Sequence, residues 1–235
     1  MAVLLTDRLE FPNPCHVATP DGLVAVGGDL SVERLMLAYQ SGIFPWSAQP
    51  VTWWSPDPRA VFEFDRLHFP RTLQRTVKQS VILEENEPLG EAAFGAGFGV
   101  TFNRAFRQVI EGCATRRTEG NWISLPFIEA YTRLHEAGHA HSVECWRAGE
   151  LAGGVYGVAV VGLFAAESMF YRASNASKTA LWFLLLRLRE RGFALVDIQM
   201  LTETTRRLGA TPLSRKAYIQ RLEHAVNLPV TFVGK

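Results

Sequence analysis

The stretch at residues 151–170, LAGGVYGVAVVGLFAAESMF, carries the pattern that decides the fold. Its first half is rich in glycine and β-branched residues, and an apolar run continues after Gly162, so the stretch predicts two consecutive strands. A polar helix start follows at Ser174 or Asn175, and the helix pattern runs to about Glu190. Adjacent strands followed by a long helix are typical of a mixed α/β domain.

The elements on either side of this stretch fit the same class. Residues 141–147 alternate as a strand does, and residues 194–201 form the apolar run of a buried strand. Ser214 is placed to cap a last helix at 215–226. The order of elements predicts an α+β (α/β) domain. Upstream, the spacing of apolar residues predicts three more helices, at about 70–79, from Asn103 and from Pro126 to Gly138.

The N-terminal residues differ in composition from the rest of the chain. They are rich in Pro, Gly and Trp and contain one good helix pattern, with Ser31 as the N-cap and Gly42 as the terminator. We therefore predict two domains, a small N-terminal α/β domain at 1–57 and a larger domain at 58–235.

The composition narrows the class of protein. The chain has 235 residues, 48% of them hydrophobic, so it can bury a sizeable core, and its net charge is +1. Any nucleic-acid binding must therefore depend on a local basic face. The cysteines Cys15, Cys113 and Cys145 are few and irregularly spaced, which suits a reducing compartment. No signal peptide or membrane-spanning run is visible, so we expect a cytoplasmic protein that does not bind membranes.

The segment 135–139, HEAGH, matches the HExxH pattern of zinc proteases. That chemistry needs both histidines on one face of a helix, with the glutamate as the general base. Gly138 is expected to end the helix, and a strand pattern begins just after it. His139 then falls beyond the helix end, and we expect no metal site.

Polar residues interrupt the apolar pattern at three places. Glu167 falls inside an apolar strand, where a carboxylate is unfavourable unless it is paired or used. Asp197 and Gln199 are two residues apart on another apolar strand and are expected to face the same side. The helix start at 174–179 has more polar residues than capping requires. The sequence leaves open a surface glutamate, ordinary capping and a structural hydrogen-bond network as alternatives.

Certain aromatic and basic residues suit an RNA ligand. Trp46 and Trp122 lie in loop-like contexts, where a flat ring can stack on a base, although most tryptophans belong to a core. Arg71, Arg75 and Lys78 are spaced to form one stripe on a predicted helix, and such a stripe suits phosphates. A solvated helix face would explain the same stripe.

Taken together, these segments resemble the leucyl/phenylalanyl-tRNA–protein transferase family. The resemblance extends from about Asp21 to Tyr218, and its motifs are specific in combination although each is weak alone. The matching segments are GIFPW at 42–46, WWSPDPR at 53–59, GNWI at 120–123, HAHS at 139–142, GGVYGV at 153–158, ESMF at 167–170, NASK at 175–178 and DIQ at 197–199.

The resemblance implies a GNAT-like acyltransferase domain with a small N-terminal domain. It implies transfer of Leu or Phe, and less readily Met, from aminoacyl-tRNA to proteins that begin with Arg or Lys. That product is marked for N-degron proteolysis. No metal or diffusible cofactor is implied, and the family implies a monomer.

The resemblance also implies roles for single residues. Gln199 would accept a hydrogen bond from the α-amine of the acceptor, Asp197 would polarise this arrangement, and Glu167 would hold the aminoacyl end or the cationic acceptor residue. The implied substrate-binding residues are the Leu/Phe pocket at Val155, Phe164, Leu181, Leu184, Leu188 and Val196, the adenosine contacts Trp46 and Trp122, Asn175 at the helix start, and the tRNA contacts Arg71, Arg75 and Lys78.

Two departures and two rival functions remain. Residues 84–99 look like an insertion relative to the family pattern, and Gln79 stands where the basic stripe would have another cation. A CoA-dependent N-acetyltransferase of similar fold would need a glycine-rich, phosphate-binding helix start, but residues 171–177 contain no glycine. A non-enzymatic tRNA-binding module would not need Asp197 and Gln199 in a buried strand.

Overall fold

The computed structural model of the chain describes residues 2–84, 86–89, 97–115 and 123–234. These residues form two β-sheets with helices packed around them, which confirms the predicted mixed α/β class. The strands are β1 (Val3–Leu5), β2 (Leu23–Gly27), β3 (Phe44–Ala48), β4 (Val51–Trp54), β5 (Arg59–Phe62), β6 (Val81–Ile82), β7 (Gly99–Phe102), β8 (Ala140–Arg147), β9 (Glu150–Val160), β10 (Leu163–Tyr171), β11 (Leu195–Gln199) and β12 (Ala210–Leu213). The helices are α1 (Pro14–Val17), α2 (Val32–Gln40), α3 (Arg71–Lys78), α4 (Phe106–Thr115), α5 (Leu125–Glu136), α6 (Ala176–Glu190), α7 (Glu203–Arg207) and α8 (Arg215–Ala225).

The smaller sheet has the strand order β1-β2-β4-β3, with β1 and β2 parallel and the other pairs antiparallel. Its individual strands were not predicted, because all four are short, and β2 and β3 contain Gly27 and Pro45 among their apolar residues. The helix predicted in this region is confirmed as α2. The Ser31 hydroxyl accepts a hydrogen bond from the Arg34 N–H, and Gly42 follows the helix at a φ of 74°. Since α2 packs against β3, β9 and α5, it joins the two sheets.

The larger sheet has the strand order β12-β5-β11-β10-β9-β8-β7-β6. β10 pairs with β9 in antiparallel fashion and with β11 in parallel, and α6 provides the crossover between β10 and β11. Alternate side chains of the central strands enter different core clusters. Tyr156 packs with α4, α5 and the smaller sheet, whereas Val155 packs with α3 and α6. The predicted strands at 141–147, 151–160 and 194–201 are confirmed as β8, β9 and β11.

The start of α6 differs from the prediction. Neither Ser174 nor Asn175 caps the helix with its side chain, because Asn175 adopts a left-handed conformation with a φ of 68°. The helix start also lies close to β9 at Gly153. A Cβ at that position would lie only 2.7 Å from the Cβ of Ala176, so glycine is required for this approach.

The HExxH segment runs from the end of a helix into a turn, and a strand begins just after it at Ala140, as predicted. α5 ends at Glu136, and Gly138 has a φ of 82°. His135 stacks on Phe106, and its Nδ1 lies 2.8 Å from the carbonyl oxygen of Ala140. His139 lies beyond the helix, so the two histidines do not share a helix face.

Candidate active site

A buried ion pair joins Asp197 of β11 to Arg59 of β5. Arg59, the first residue of the neighbouring strand β5, donates from Nε and Nη2 to the two carboxylate oxygens of Asp197 at 2.9 and 2.6 Å. Its third nitrogen donates to the carbonyl oxygen of Gly42 at 3.2 Å. The guanidinium carbon lies 4.7 Å from the ring centroid of Phe44 and 4.6 Å from that of Tyr218. Arg59 therefore joins the smaller sheet, the larger sheet and α8.

The hydrogen-bonding capacity of Asp197 is used within the protein. Oδ1 accepts from Arg59 Nε and from the Gln199 N–H at 2.8 Å, and Oδ2 accepts from Arg59 Nη2 and from the Tyr218 hydroxyl at 2.9 Å. A carboxylate has about four lone-pair positions, and four donors occupy them here. Burial disfavours the guanidinium charge, but the Asp197 carboxylate raises the pKa of Arg59 overall. Asp197 is fully buried and forms an ion pair with the equally buried Arg59.

Gln199 is held in an unusual conformation at the end of the same strand. Its φ is 61°, in the left-handed region that a non-glycine residue rarely occupies, and the sheet register shifts between Asp197 and Gln199. The bond from its N–H to Asp197 stabilises this conformation. Its side-chain Nε2 donates to Glu167 Oε1 at 2.7 Å. No described residue donates to the remaining Gln199 oxygen, which leaves that atom to accept from a substrate.

Glu167 lies at a bulge of β10, where the pairing with β9 shifts between Ala166 and Ser168. Its Oε1 accepts from the Tyr39 hydroxyl at 2.8 Å, and its Oε2 accepts from the Tyr131 hydroxyl at 3.4 Å. The two tyrosine oxygens are 2.5 Å apart. The glutamate is only 9% exposed, so it is not the surface glutamate that the sequence left open.

The environment of Glu167 favours the protonated carboxyl. Burial raises the pKa of Glu167 to about 8, while the hydrogen bond from Tyr39 lowers it and the charge of Asp197 raises it. Arg59 and Tyr131 lower it further, but burial prevails. The carboxyl therefore gains and loses a proton near neutral pH, which is the property of a group that exchanges protons with a substrate.

Glu167 and Gln199 line a cavity of about 640 Å³. Of the predicted substrate-binding residues, Trp46, Val155, Leu181 and Asn175 also line it. Trp122 lies outside the described residues. Phe164, Leu184, Leu188 and Val196 are fully buried with α6 in the core and do not line the cavity. Further apolar lining comes from Phe44, Phe62, Ile123, Met169 and Ile198, and polar lining from Ser174, Ser177, Lys178, Thr202, Thr204 and Thr205.

The predicted basic stripe lies on an exposed face of α3. Arg71, Arg75 and Lys78 are exposed, whereas Leu73 and Thr76 on the same helix are buried. α3 packs against α6, and Asn175 Nδ2 donates to the Thr76 hydroxyl at 3.5 Å. The stripe is thus carried by the helix that packs beside the start of α6. The insertion predicted at 84–99 lies partly outside the described residues, and its last residue, Gly99, begins β7.

Sequence reasoning missed four residues of this site: Arg59, Tyr39, Tyr131 and Tyr218. Arg59 belongs to the WWSPDPR segment, but nothing in the sequence indicates its partner 138 positions away. The three tyrosines lie on the apolar faces of their helices, and that spacing predicts ordinary core positions for them. The signal that could have found them is the need of Glu167 and Asp197 for buried donors.

Within the described ranges, no three His, Cys, Asp or Glu side chains come together as a metal site. None of the helices in these ranges combines the length and the apolar character needed to cross a membrane.

Comparison with known proteins identifies relatives over most of the chain. A family model for leucyl/phenylalanyl-tRNA protein transferase matches residues 61–223, and a model for the N-terminal domain of that transferase matches residues 28–57. The leucyl/phenylalanyl-tRNA–protein transferase of Citrobacter koseri is 46% identical over 217 residues, which are 91% of this chain and 86% of the relative. The transferase of the same name from Escherichia coli O1:K1 is 48% identical with the same coverage.

Solved structures show more distant likenesses. A GCN5-related N-acetyltransferase from Sphaerobacter thermophilus is 14% identical, with a TM-score of 0.35 over 85% of this chain and 60% of that chain.

Proposed function

Because the chain belongs to the leucyl/phenylalanyl-tRNA–protein transferase family, we propose that it transfers Leu or Phe, and less readily Met, from aminoacyl-tRNA to proteins with an N-terminal Arg or Lys. Family membership makes it an aminoacyltransferase. The proposal also includes the acceptor specificity and the marking of the product for N-degron proteolysis. It further includes a cytoplasmic location, a monomeric state and a division into domains at 1–57 and 58–235. The observation that carries it is the hydrogen-bonded pair Glu167–Gln199 in the cavity.

The reaction needs an oriented amine more than an activated carbonyl. An aminoacyl-tRNA is already an activated ester, and the attacking group is the neutral α-amine of the acceptor. The Nε2 of Gln199 already donates to Glu167, so the side-chain oxygen of Gln199 is the atom that accepts a hydrogen bond from the amine. The left-handed backbone and the bond to Asp197 hold that oxygen in place. Asp197 acts through Gln199 and does not itself touch the amine.

Glu167 is suited to take the proton that the amine loses on attack. The pKa of Glu167 is about 8, and a general base is most effective when its pKa lies near the working pH. Glu167 and Gln199 are in direct contact, so the proton passes to the carboxyl beside the amide that orients the amine. As the new amide bond forms, the ester bond to the tRNA breaks, and this proton leaves with the 3′ oxygen of the terminal adenosine.

The rest of the cavity accommodates the aminoacyl end. Val155 and Leu181 contact the Leu or Phe side chain, and Phe164, Leu184, Leu188 and Val196 shape that pocket from the core behind them. Trp46 stacks on the terminal adenosine, together with Trp122, and Asn175 holds the aminoacyl-adenosine at the start of α6.

One assay tests the function directly. The protein is incubated with Phe-tRNA and a reporter peptide that begins with Arg, and the expected result is a peptide extended by one Phe. The same peptide with an acetylated N-terminus is the control and should not react. Absence of transfer, with acetylation of the reporter when acetyl-CoA is supplied, would identify an N-acetyltransferase and overturn the proposal.

Arg75→Ala is expected to weaken tRNA binding. The slope of log affinity against log salt concentration is negative, and each lost phosphate contact should make it less steep by about 1. The matched control is Arg189→Ala, which removes an exposed arginine from the last turn of α6. A salt titration of tRNA binding measures both variants. If Arg75→Ala keeps the wild-type slope, Arg75 does not belong to the tRNA interface.

A further inference from the structure

The first turn of α6 is polar and lacks hydrogen-bond partners that a helix start normally has. Asn175 is in the N-cap position, but its side chain donates to Thr76 and does not cap the helix. Within the described residues, neither the Ser177 N–H nor the Lys178 N–H has an acceptor. Unpaired N–H groups and the helix dipole together make such a helix start attractive to an anion.

Ser177 is an independent sign of a ligand at this place. Its side chain lines the cavity, yet the residue is only 3% exposed. Its hydroxyl forms no hydrogen bond with a described residue, which leaves it to donate into the cavity. Glycine at 153 lets the helix start approach β9 closely, and this approach places Ser177 in the cavity wall.

The charge of the cavity lining agrees with an anionic ligand at this end. Of the described residues that line the cavity, Lys178 is the single cation and Glu167 the single carboxyl. Lys178 is half-buried in the first turn of α6 and forms no ion pair with a described residue. A half-buried lysine in the same turn as two unpaired N–H groups and a free hydroxyl provides the kind of donors that bind a phosphate.

Building on the proposed function, we infer that the first turn of α6, with Ser177 and Lys178, binds a backbone phosphate at the single-stranded 3′ end of the aminoacyl-tRNA. α3, whose exposed face carries the basic stripe, packs against α6. Glu167 and Gln199 line the same cavity as Ser177 and Lys178. The site thereby sets the depth to which the aminoacyl end enters.

The test uses a non-hydrolysable substrate analogue, 3′-deoxy-3′-(phenylalanylamino)adenosine, with and without a 5′-phosphate. Calorimetric titration of the wild-type protein should show binding about tenfold tighter for the phosphorylated analogue. Lys178→Met should remove most of this gain, and Lys178→Arg should keep it. Ser177→Ala should reduce the gain about two- to fivefold, because one hydrogen bond is lost. The matched control Lys216→Met removes an exposed lysine from α8 and should keep the full gain.

The outcomes separate this inference from the proposed function. If the bare analogue binds but the phosphate adds nothing, or if its gain survives in Lys178→Met, the phosphate site is wrong and the proposed function stands. If neither analogue binds, both are overturned. Coenzyme A is the third ligand, because it also carries phosphates. Binding of coenzyme A that depends on Lys178, without binding of either analogue, would assign the site to an acetyl donor and overturn the inference.

Discussion

Asp197→Ala is expected to lower the rate of aminoacyl transfer about 100-fold while leaving tRNA affinity close to that of the wild type. The substitution removes the acceptor of the Gln199 N–H, which stabilises the left-handed conformation of that residue. A displacement of about 1 Å in an orienting group lowers rates by about 100-fold. The residue is fully buried, and tRNA would reach the exposed stripe on α3 without touching it.

The same variant should be much less stable than the wild type. Asp197→Ala leaves the Arg59 guanidinium buried without its counter-charge, and breaking one side of a buried pair lowers the free energy of unfolding by about 3–5 kcal/mol. Urea denaturation measures this change. The matched control is Glu63→Ala, which breaks the exposed pair between Glu63 and Arg221 and should lower the free energy of unfolding by about 1 kcal/mol at most.

A double variant distinguishes orientation of Gln199 from simple support of the fold. Arg59→Met with Asp197→Leu replaces the buried pair by apolar side chains, which is often neutral for stability. We expect it to regain most of the lost stability but not the transfer activity, because Gln199 still lacks its acceptor. Recovery of transfer together with stability would show that Asp197 serves the fold alone.

Tyr218→Phe removes one donor to Asp197 and should lower the free energy of unfolding by about 1 kcal/mol.

The central part of the fold could be predicted from the sequence because local signals agree there. The strand pattern of β9 and β10, the long helix α6 and the apolar strand β11 each show their own periodicity. Glu167 and Gln199 could be singled out because a polar residue inside an apolar strand is conspicuous whatever its partner is. These signals are contained in single segments and need no knowledge of the tertiary structure.

The partners of these residues could not be predicted, because pairing between distant segments leaves no local pattern. Arg59 and Asp197 are 138 residues apart, and Tyr39 and Glu167 are 128 apart. Apolar spacing on a helix predicts which face is buried, but not that a tyrosine hydroxyl on that face donates to a carboxylate. The left-handed conformation of Gln199 is also set by its bond to Asp197 and not by its own preference.

The core positions of Phe164 and Leu184 illustrate the same limit. Both are apolar residues of the right elements, so the sequence could not distinguish the wall of a cavity from the core behind it. The distinction depends on how closely α6 packs on the sheet. Gly153 sets that packing at the helix start, through a contact that is visible only in three dimensions.

Glu167→Gln is expected to change the pH dependence of stability. The pKa of Glu167 is about 8 in the folded protein and 4.5 for an unperturbed glutamate, so the folded state binds the extra proton between these values. Stability therefore falls as the pH rises from 4.5 towards 8, because the folded state must then either keep the proton or bury a charge. Glutamine does not titrate. The stability of the variant relative to the wild type should therefore increase through this window, as measured by urea denaturation at several pH values.

The same substitution should change how the transfer rate depends on pH. Attack requires a neutral amine and an ionised Glu167, so below about pH 7 the logarithm of kcat/KM for the acceptor should rise with pH at a slope of about 2. In Glu167→Gln only the amine still ionises, so the slope should fall to about 1 and the rate should fall about 100-fold.

The matched control is Glu144→Gln. Burial also raises the pKa of Glu144, but this carboxyl accepts from Thr101 and Ser142 and does not line the cavity. Glu144→Gln should alter the pH dependence of stability and keep the slope of about 2 in transfer. If Glu167→Gln also keeps that slope, Glu167 does not accept the proton, and its contact with Gln199 serves only to orient the amide.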